Sequence, residues 1–326
     1  MYIAEISPSP IRGKNVAFYQ LAIVIGILLA YLSNYLLLNM GASNWRWMFT
    51  SQSVPALLFF FGLFFVSESP RWLMRMGKER KAYQVLQRIG GFDYADVELS
   101  FIRQGFADEN KEKVKAVFNK NIMHILFIGI LIAVFSQVVG QNSIMSYAPN
   151  ILKNAGMARN SAFLQSIIIG FVLFISTFIA IVTIDKLGRR KLLLYGSFFL
   201  FLDGLALAIS FHLRLPGYWE LIFILGFIGI YGATLGPVTW VILSEMFPNR
   251  IRAKAMSLAT LALWIANFFT TASFPVMQKH FGLSVTFGIH ASICLIYFFY
   301  VKTKVPETKG KTLEEIEKLI YRKMAV

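Results

Sequence analysis

Carboxamide side chains lie inside apolar segments of this sequence, where polar residues are uncommon. Gln20 lies in the first such segment, Gln137 and Asn142 flank Gly140 in the third, and Asn267 lies in the seventh. Unsatisfied polar groups are costly in hydrocarbon, so these amides indicate either ligand binding or hydrogen bonding between helices. Amides donate and accept hydrogen bonds, as sugar hydroxyls do, and aromatic faces can cover a pyranose ring. The uncharged set favours a neutral polyol over an ion.

Residues for enzyme chemistry do not accompany these amides. The sequence has no glycine-rich phosphate loop, no nucleophile elbow and no metal-ligand spacing. The single cysteine, Cys294, lies in the last apolar run, and lone histidines are more often structural. We expect His124, His212, His280 and His290 to lie near helix ends or loops. The sequence predicts a non-enzyme without cofactor or metal.

Long apolar segments must position these side chains. The 326 residues are 56% hydrophobic and only 15% charged, with a mean hydropathy of +0.60, whereas a soluble domain carries about 25% charged residues. Each segment is long enough to cross about 30 Å of hydrocarbon as a helix. The eight segments are 15–38, 48–66, 123–150, 161–184, 191–212, 218–243, 254–276 and 283–301. The sequence therefore predicts an all-α protein with the lipid bilayer as its partner.

The net charge of +15 is explained by where the basic residues lie. If residues 1–14 are cytoplasmic, most lysines and arginines fall in cytoplasmic segments, which is the positive-inside pattern. The exceptions are Arg46, Lys153, Arg159, Arg214 and Lys279. Both termini are then cytoplasmic, and the high charge does not indicate a nucleic-acid partner.

An internal repeat predicts the architecture. Residues 5–14 match residues 245–254 in their Glu, Pro, Ile, Arg and Lys positions, and a long apolar segment follows each copy. Both copies face the cytoplasm, as in a parallel repeat of two transporter halves. Four apolar segments precede the second copy within its half, so we expect four further helices to belong before residue 1.

Five sequence motifs lie in order at the segment ends. They are Tyr2-Ile3-Ala4-Glu5 with Ile11-Arg12-Gly13, Glu68-Ser69-Pro70-Arg71-Trp72-Leu73, Asp185-Lys186-Leu187-Gly188-Arg189-Arg190, Gly236-Pro237 with Trp240 and Ser244-Glu245-Met246-Phe247-Pro248, and Pro306-Glu307-Thr308-Lys309-Gly310-Lys311-Thr312. Together they resemble the sugar porter family of the major facilitator superfamily. The resemblance implies a partial major facilitator fold whose eight transmembrane helices are equivalent to helices 5–12 of twelve. The expected domains are the tail of an N-terminal half (1–67), a cytoplasmic helical linker (68–120), a complete six-helix half (121–303) and a cytoplasmic tail (304–326).

The resemblance also implies roles for the polar and aromatic residues. In sugar porters the residues at the positions of Gln20, Gln137, Asn142 and Trp240 bind the sugar. Tyr147, Trp264 and Tyr231 match aromatic positions near the sugar or its outer gate, and Asn267 joins the set from its place in the seventh segment. This sequence departs from the family at Ser136, where a Gln is usual, and Leu263 stands where the closest relatives have an amide. Both departures bear on which sugar is bound.

Acidic and basic residues at the cytoplasmic segment ends predict a gate. Carboxylate–guanidinium pairs there can hold the two halves together and separate as one half rocks against the other. Exposed pairs are individually weak, so several are needed. The alternative is that these charges only anchor helix ends. The predicted gate residues are Glu5, Arg12, Glu68, Arg71, Arg189, Glu245 and Arg252.

Transport of a neutral pentose or hexose by alternating access is the function that the resemblance implies. The family members closest in motif are proton symporters, which implies proton-coupled symport by the full-length parent. A facilitative uniporter and a truncated, non-transporting remnant remain as alternatives. We expect a monomer in the bacterial inner membrane, with a monosaccharide and protons as its small-molecule partners.

Overall fold

The structure is a computed structural model that describes residues 2, 6, 12–111, 120–154, 159–247 and 251–309, and regular secondary structure within these ranges is helical throughout. In chain order the helices are α1 (Arg12–Leu36), α2 (Asn44–Ser51), α3 (Ser53–Leu63), α4 (Pro70–Arg75), α5 (Glu79–Gly90), α6 (Phe92–Lys111), α7 (Lys120–Val138), α8 (Gln141–Asn154), α9 (Arg159–Leu187), α10 (Arg189–His212), α11 (Gly217–Ala233), α12 (Leu235–Met246) and α13 (Arg252–Lys304).

Six stretches of the described helices are long and apolar enough to cross a membrane. This confirms an all-helical protein with several apolar helices. The stretches are Phe18–Leu36, Met123–Ala148, Leu164–Ile184, Arg189–His212, Gly217–Met246 and Arg252–Lys304.

The expected count of eight spans is not confirmed. The predicted span 48–66 falls on α2 and α3, two helices of 8 and 11 residues that meet at Gln52. The predicted spans 254–276 and 283–301 both fall in α13, which is interrupted at Gly282. There φ is 78° and ψ is 167°, a conformation that only glycine adopts readily. The break at Gly282 therefore divides α13 into two arms, which we call α13a (before Gly282) and α13b (after it).

The chain forms two compact units, and the first comprises Met1–Tyr19 and Leu37–Asn119. Its polar part contains the short helices expected between residues 68 and 120, and Gly91 separates α5 from α6 with φ at 87°. Ser69 caps α4 by accepting a hydrogen bond from the backbone N–H of Trp72 at 3.2 Å. Helices α4, α5 and α6 enclose a small apolar core, which consists of Leu73, Ala82, Leu86, Ala95, Leu99 and Ile102.

The second unit comprises Gln20–Leu36 and Lys120–Val326. Small residues let its helices approach closely, as is common in membrane bundles. A Cβ on Gly204 of α10 would lie 3.3 Å from the Cβ of Ala291 on α13b. Phe135 of α7 stacks on Tyr297 of α13b with ring centroids 5.0 Å apart. These contacts fix α7 and α10 against α13, and α7 leads directly into the candidate site.

Candidate functional site

The site is built around a break between α7 and α8 at Gly140. Its φ of +96° lies in the left-handed region, and a Cβ there would lie 2.8 Å from Nδ1 of His290. The same Nδ1 lies 3.0 Å from the carbonyl oxygen of Val138, which the break leaves near the end of α7. Glycine is required for both reasons, and the break brings the end of α7 and the start of α8 to one place.

Three of the predicted amides meet at this break. Asn142 donates one N–H to Oε1 of Gln137 at 2.7 Å and the other to Oδ1 of Asn267 on α13a at 2.8 Å. Gln137 in turn donates to Oγ of Ser136 at 3.2 Å. The amide groups hold one another in fixed orientations, and we call Gln137, Asn142 and Asn267 the amide cluster.

Hydrogen-bonding capacity remains in the cluster. Within the described part of the chain, no hydrogen bond occupies the carbonyl oxygen of Asn142 or the NH₂ group of Asn267. Asn142 and Asn267 are half-buried, whereas Gln137 is 8% exposed. Two hydrogen-bonded, half-buried residues thus retain one acceptor and one donor, and such groups can bind a group that both donates and accepts, such as a hydroxyl.

Two predicted tyrosines lie beside the cluster. Tyr231 of α11 donates its hydroxyl to the backbone carbonyl of Ser136 at 3.3 Å. Tyr147 of α8 stacks on Phe274 with ring centroids 5.4 Å apart and planes 11° apart. Phe274 was not singled out from the sequence, since nothing distinguishes it from the other phenylalanines in apolar segments.

The remaining predicted site residues are Gln20, Trp264 and Trp240, and no described hydrogen bond joins Gln20 or Trp264 to the amide cluster. Gln20 is half-buried in α1. Trp264 is 56% exposed on α13a, one turn before Asn267. Trp240 is half-buried on α12. This helix begins directly after Thr234, the residue that separates it from α11. The roles of these three residues remain predictions.

Two residues that the sequence analysis did not place in the site belong to its hydrogen-bond network. Ser136 is 1% exposed, accepts from Gln137 and donates to the carbonyl of Ala133 at 2.7 Å. Thr271 donates to Oδ1 of Asn267 at 3.4 Å. Ser136 was noticed only as a departure from the family, and the spacing of Thr271 four residues after Asn267 was the available signal.

A charged cluster lies at the start of α10, around Arg189. Arg189 donates from Nη2 to Oε1 of Glu245 at 2.8 Å, and the two side chains are 9% and 30% exposed. The hydroxyl of Thr308 donates to the second oxygen of Glu245 at 2.7 Å. Both oxygens of the carboxylate are therefore bound, which ties the end of α12 to the start of α10 and to the segment after α13.

Glu307 caps α10 from a distance in sequence. Its carboxylate accepts the backbone N–H groups of Arg189 at 3.0 Å and Arg190 at 3.2 Å. Gly188, the residue before the helix, offers no side-chain cap, and a Cβ there would lie 2.7 Å from Oε2 of Glu307. An anion at a helix N-terminus satisfies free N–H groups and complements the helix dipole. The sequence motif contained Glu307, but its role depends on the return of the chain after α13.

Among the remaining predicted gate residues, the structure describes the side chains of Glu68, Arg71 and Arg252. Glu5 lies outside the described residues, and only the backbone of Arg12 is described. Glu68 and Arg71 are exposed in the first unit and form no ion pair with a described residue. Arg252 donates from Nε to the carbonyl of Phe247 at 3.1 Å. Arg189 and Glu245 pair within one compact unit, so a gate between two halves remains a prediction.

Several long apolar helices, with an amide cluster at a broken helix, are the features of a helical membrane protein. The family model "Sugar (and other) transporter" matches residues 1–320. The chain belongs to this family of sugar transporters.

Similar proteins agree with this assignment. The chain is 40% identical to the arabinose-proton symporter of Bacillus subtilis, covering 98% of this chain and 70% of the relative. It is 38% identical to the D-xylose-proton symporter of Escherichia coli, covering 98% of this chain and 67% of that relative. A solved structure of the proton:xylose symporter XylE bound to 6-bromo-6-deoxy-D-glucose, a major facilitator superfamily protein, superposes with a TM-score of 0.84 at 37% identity, covering 98% of this chain and 69% of that chain.

Proposed function

We propose that the chain carries the sugar-binding part of a transporter for a neutral pentose or hexose, which works by alternating access. The observation that carries the proposal is the amide cluster, in which Asn142 of α8 bridges Gln137 of α7 and Asn267 of α13a. The bridge uses both N–H groups of Asn142 and leaves its carbonyl oxygen and the NH₂ group of Asn267 without a described partner. That pair suits vicinal sugar hydroxyls, which donate and accept.

The surrounding residues complete the proposed site. Tyr147, stacked on Phe274, and Trp240 offer aromatic faces for the sugar ring. Gln20, Tyr231 and Trp264 are proposed to contact the sugar or its outer gate when the two halves of the transporter close around it. The two curated relatives are named as symporters of protons with arabinose or xylose, which supports a pentose as substrate and proton coupling.

The charged clusters are proposed to act at the cytoplasmic side. Arg189, Glu245, Glu307 and Thr308 fix one set of helix ends. Further partners are proposed to come from the repeated motif (Glu5, Arg12 and Arg252) and from the first unit (Glu68 and Arg71). Rocking of one half against the other would break and remake pairs between them. This proposal includes a bacterial inner-membrane location with cytoplasmic termini, supported by the distribution of lysine and arginine.

Uptake of labelled sugars tests the function. The chain is joined to the part of the B. subtilis arabinose-proton symporter that the match leaves uncovered, and is produced in a host without pentose or hexose uptake. We expect saturable uptake of D-xylose or L-arabinose that falls when the proton gradient is collapsed. Gluconate should not compete, because the amide cluster carries no positive charge.

The matched control is a second intramembrane amide. Asn142→Ala should abolish saturable uptake, whereas Gln165→Ala on α9, outside the cluster, should leave it near the parent level. Correct insertion of each variant is checked by surface labelling. Equal loss in both variants, or uptake that survives Asn142→Ala, would contradict the proposed site. Uptake that does not change when the proton gradient is collapsed would contradict proton coupling but not the proposed sugar site.

A further inference from the structure

Asp203 is an acidic residue in the middle of α10, one of the long apolar helices of the second unit. It lies 14 residues after Arg189, where α10 begins, and nine residues before His212, where the helix ends. The neighbouring Leu202 and Leu205 are exposed, so this stretch of α10 borders the lipid, and Asp203 itself is half-buried. An ionisable group at this depth in a membrane helix is costly and marks a candidate functional site.

The carboxyl group of Asp203 lies against Gly226 of the neighbouring helix α11. A Cβ on Gly226 would lie 2.5 Å from Oδ1 of Asp203 and 3.4 Å from its Cγ, so glycine leaves the room that the carboxyl group occupies. The second oxygen, Oδ2, is buried and has no hydrogen-bond partner among the described residues. The group is thus held at a helix contact without a described donor that would stabilise a negative charge.

The charged residues on the helices around Asp203 lie at a distance from it. Arg189 and Glu245 of α12 pair with each other at the start of α10, about 21 Å from Asp203 along the helix. Lys302 of α13b lies at that same end, where its carbonyl accepts a hydrogen bond from Arg190. Glu220 of α11 lies six residues before Gly226, about 9 Å along that helix, and is itself acidic. None of these described groups is placed to neutralise an ionised Asp203.

The uncharged titratable groups around Asp203 do not supply a counter-charge either. Sequence analysis expected His290 near a helix end, but it is buried within α13b and lies against Val138 of α7. Three tyrosines of α13b and α11 likewise contact α7, namely Tyr297, Tyr300 and Tyr231. The thiol of Cys294 on α13b is buried and interacts electrostatically with Asp203, but a neutral thiol carries no charge to offset. These surroundings favour the uncharged, protonated carboxyl group.

We propose that Asp203 is a proton-binding site within the second unit, where its carboxyl group holds one proton while it lies against Gly226. The proton binds to a carboxylate oxygen and removes the negative charge, and no other bond is formed or broken. Release of the proton requires water or a cation at the contact of α10 and α11, so the ionised form belongs to a state in which that contact is open. Proton binding at Asp203 is independent of the sugar site, and only a contribution to sugar–proton coupling would rest on the proposed function.

Dicyclohexylcarbodiimide, an apolar reagent that enters lipid, tests for the bound proton. The carboxyl proton moves to a nitrogen of the reagent, the carboxyl oxygen adds to its central carbon, and rearrangement gives a stable N-acylurea with no leaving group. The full chain is reconstituted in nanodiscs of neutral lipid, treated at neutral pH and mapped by peptide mass spectrometry. We expect an adduct on Asp203 whose yield falls as the pH is raised, and no adduct on Asp93, an exposed carboxylate of α6. No adduct on Asp203, or a yield that does not depend on pH, would overturn the proposal.

Infrared spectra of variants then assign the proton to Asp203. Asp203→Asn keeps the shape of the side chain but cannot hold the proton, so the C=O stretching band of protonated carboxyl groups should weaken. Asp93→Asn is the matched control and should keep the full band, and Glu220→Gln should leave the adduct on Asp203 unchanged. A band as strong in Asp203→Asn as in the parent would contradict the assignment. The adduct on the parent chain decides the proposal even if Asp203→Asn does not fold. Both measurements are made without sugar, so their failure would leave the proposed sugar transport untouched.

Discussion

Asn142 donates a side-chain hydrogen bond to Oδ1 of Asn267 across the interface of α8 and α13a, at 2.8 Å. The two residues lie 125 positions apart in the sequence. The bond joins the helix that follows the Gly140 break to a long apolar helix, so the relative position of these helices determines the shape of the amide cluster. Sugar affinity and bundle stability should both depend on it.

Asn267→Leu removes the acceptor while keeping a side chain of similar size. One N–H group of Asn142 then loses its partner, which costs about 1–3 kcal/mol in stability. We expect sugar affinity, measured by calorimetry on the joined transporter, to fall about tenfold or more, since about 1.4 kcal/mol corresponds to a factor of ten.

Ser292→Ala is the control for this change. Ser292 is exposed on the other arm of α13 and donates only to the carbonyl of Gly288 in its own helix, at 2.9 Å. Its removal should leave both affinity and stability unchanged. Sugar affinity that is the same in Asn267→Leu and the parent would remove Asn267 from the binding site.

Gly140→Ala tests the break itself. An alanine there adopts a left-handed conformation at a cost of about 1–2 kcal/mol, and its Cβ collides with the ring of His290, which adds to that cost. We expect a clearly lower midpoint of thermal unfolding. Adding His290→Ala should recover the part due to the collision and leave the backbone part.

The matched control for the glycine change is Gly288→Ala. Gly288 lies within α13b with nothing within 4 Å of the position a Cβ would take. In a helix interior, alanine is favoured over glycine, so this variant should be as stable as the parent or more so. A Gly140→Ala protein as stable as the parent would show that the break does not need glycine.

Much of the fold follows from hydropathy, because hydrocarbon offers backbone groups no partner and so forces apolar segments into helices. The six long apolar stretches were predicted in this way. The expected span 48–66 falls instead on two helices that meet at Gln52, and average hydropathy cannot detect such an interruption. Likewise, the spans on either side of Gly282 were predicted, but not that they form one interrupted element.

The candidate site was predictable in its residue types but not in its bonds. Gln137, Asn142 and Asn267 stood out because amides are costly in apolar segments. That Asn142 bridges the other two depends on how α8 packs against α13a, which no local pattern encodes. The capping of α10 by Glu307 could not be predicted either, because it arises only when the chain returns to α10 after α13.

Replacing Glu307 should lower stability in a graded series. Glu307→Gln keeps one acceptor oxygen, replaces the other with an NH₂ donor, and removes the negative charge at the helix N-terminus. Glu307→Ala removes both acceptors and the charge, and losing a cap costs about 0.5–2 kcal/mol. The expected order of unfolding midpoints is Glu above Gln above Ala, with the gap between Glu and Gln shrinking in high salt. An Ala variant equal to the parent would show that Glu307 does not act as a cap.

The pair of Arg189 and Glu245 should behave as a coupled unit. After Arg189→Met, the Thr308 hydroxyl is the remaining partner of the Glu245 carboxylate among the described residues. After Glu245→Leu, the Arg189 side chain, which is 9% exposed, loses that carboxylate. Breaking a buried pair from one side costs about 3–5 kcal/mol, whereas replacing both partners by apolar residues is often close to neutral. The double variant should therefore lose less stability than the two single variants together, by at least about 1 kcal/mol in SDS unfolding. Thr308→Val measures how much stability the hydrogen bond from Thr308 to Glu245 contributes. A double variant whose loss of stability equals the sum of the two single losses would contradict the coupling.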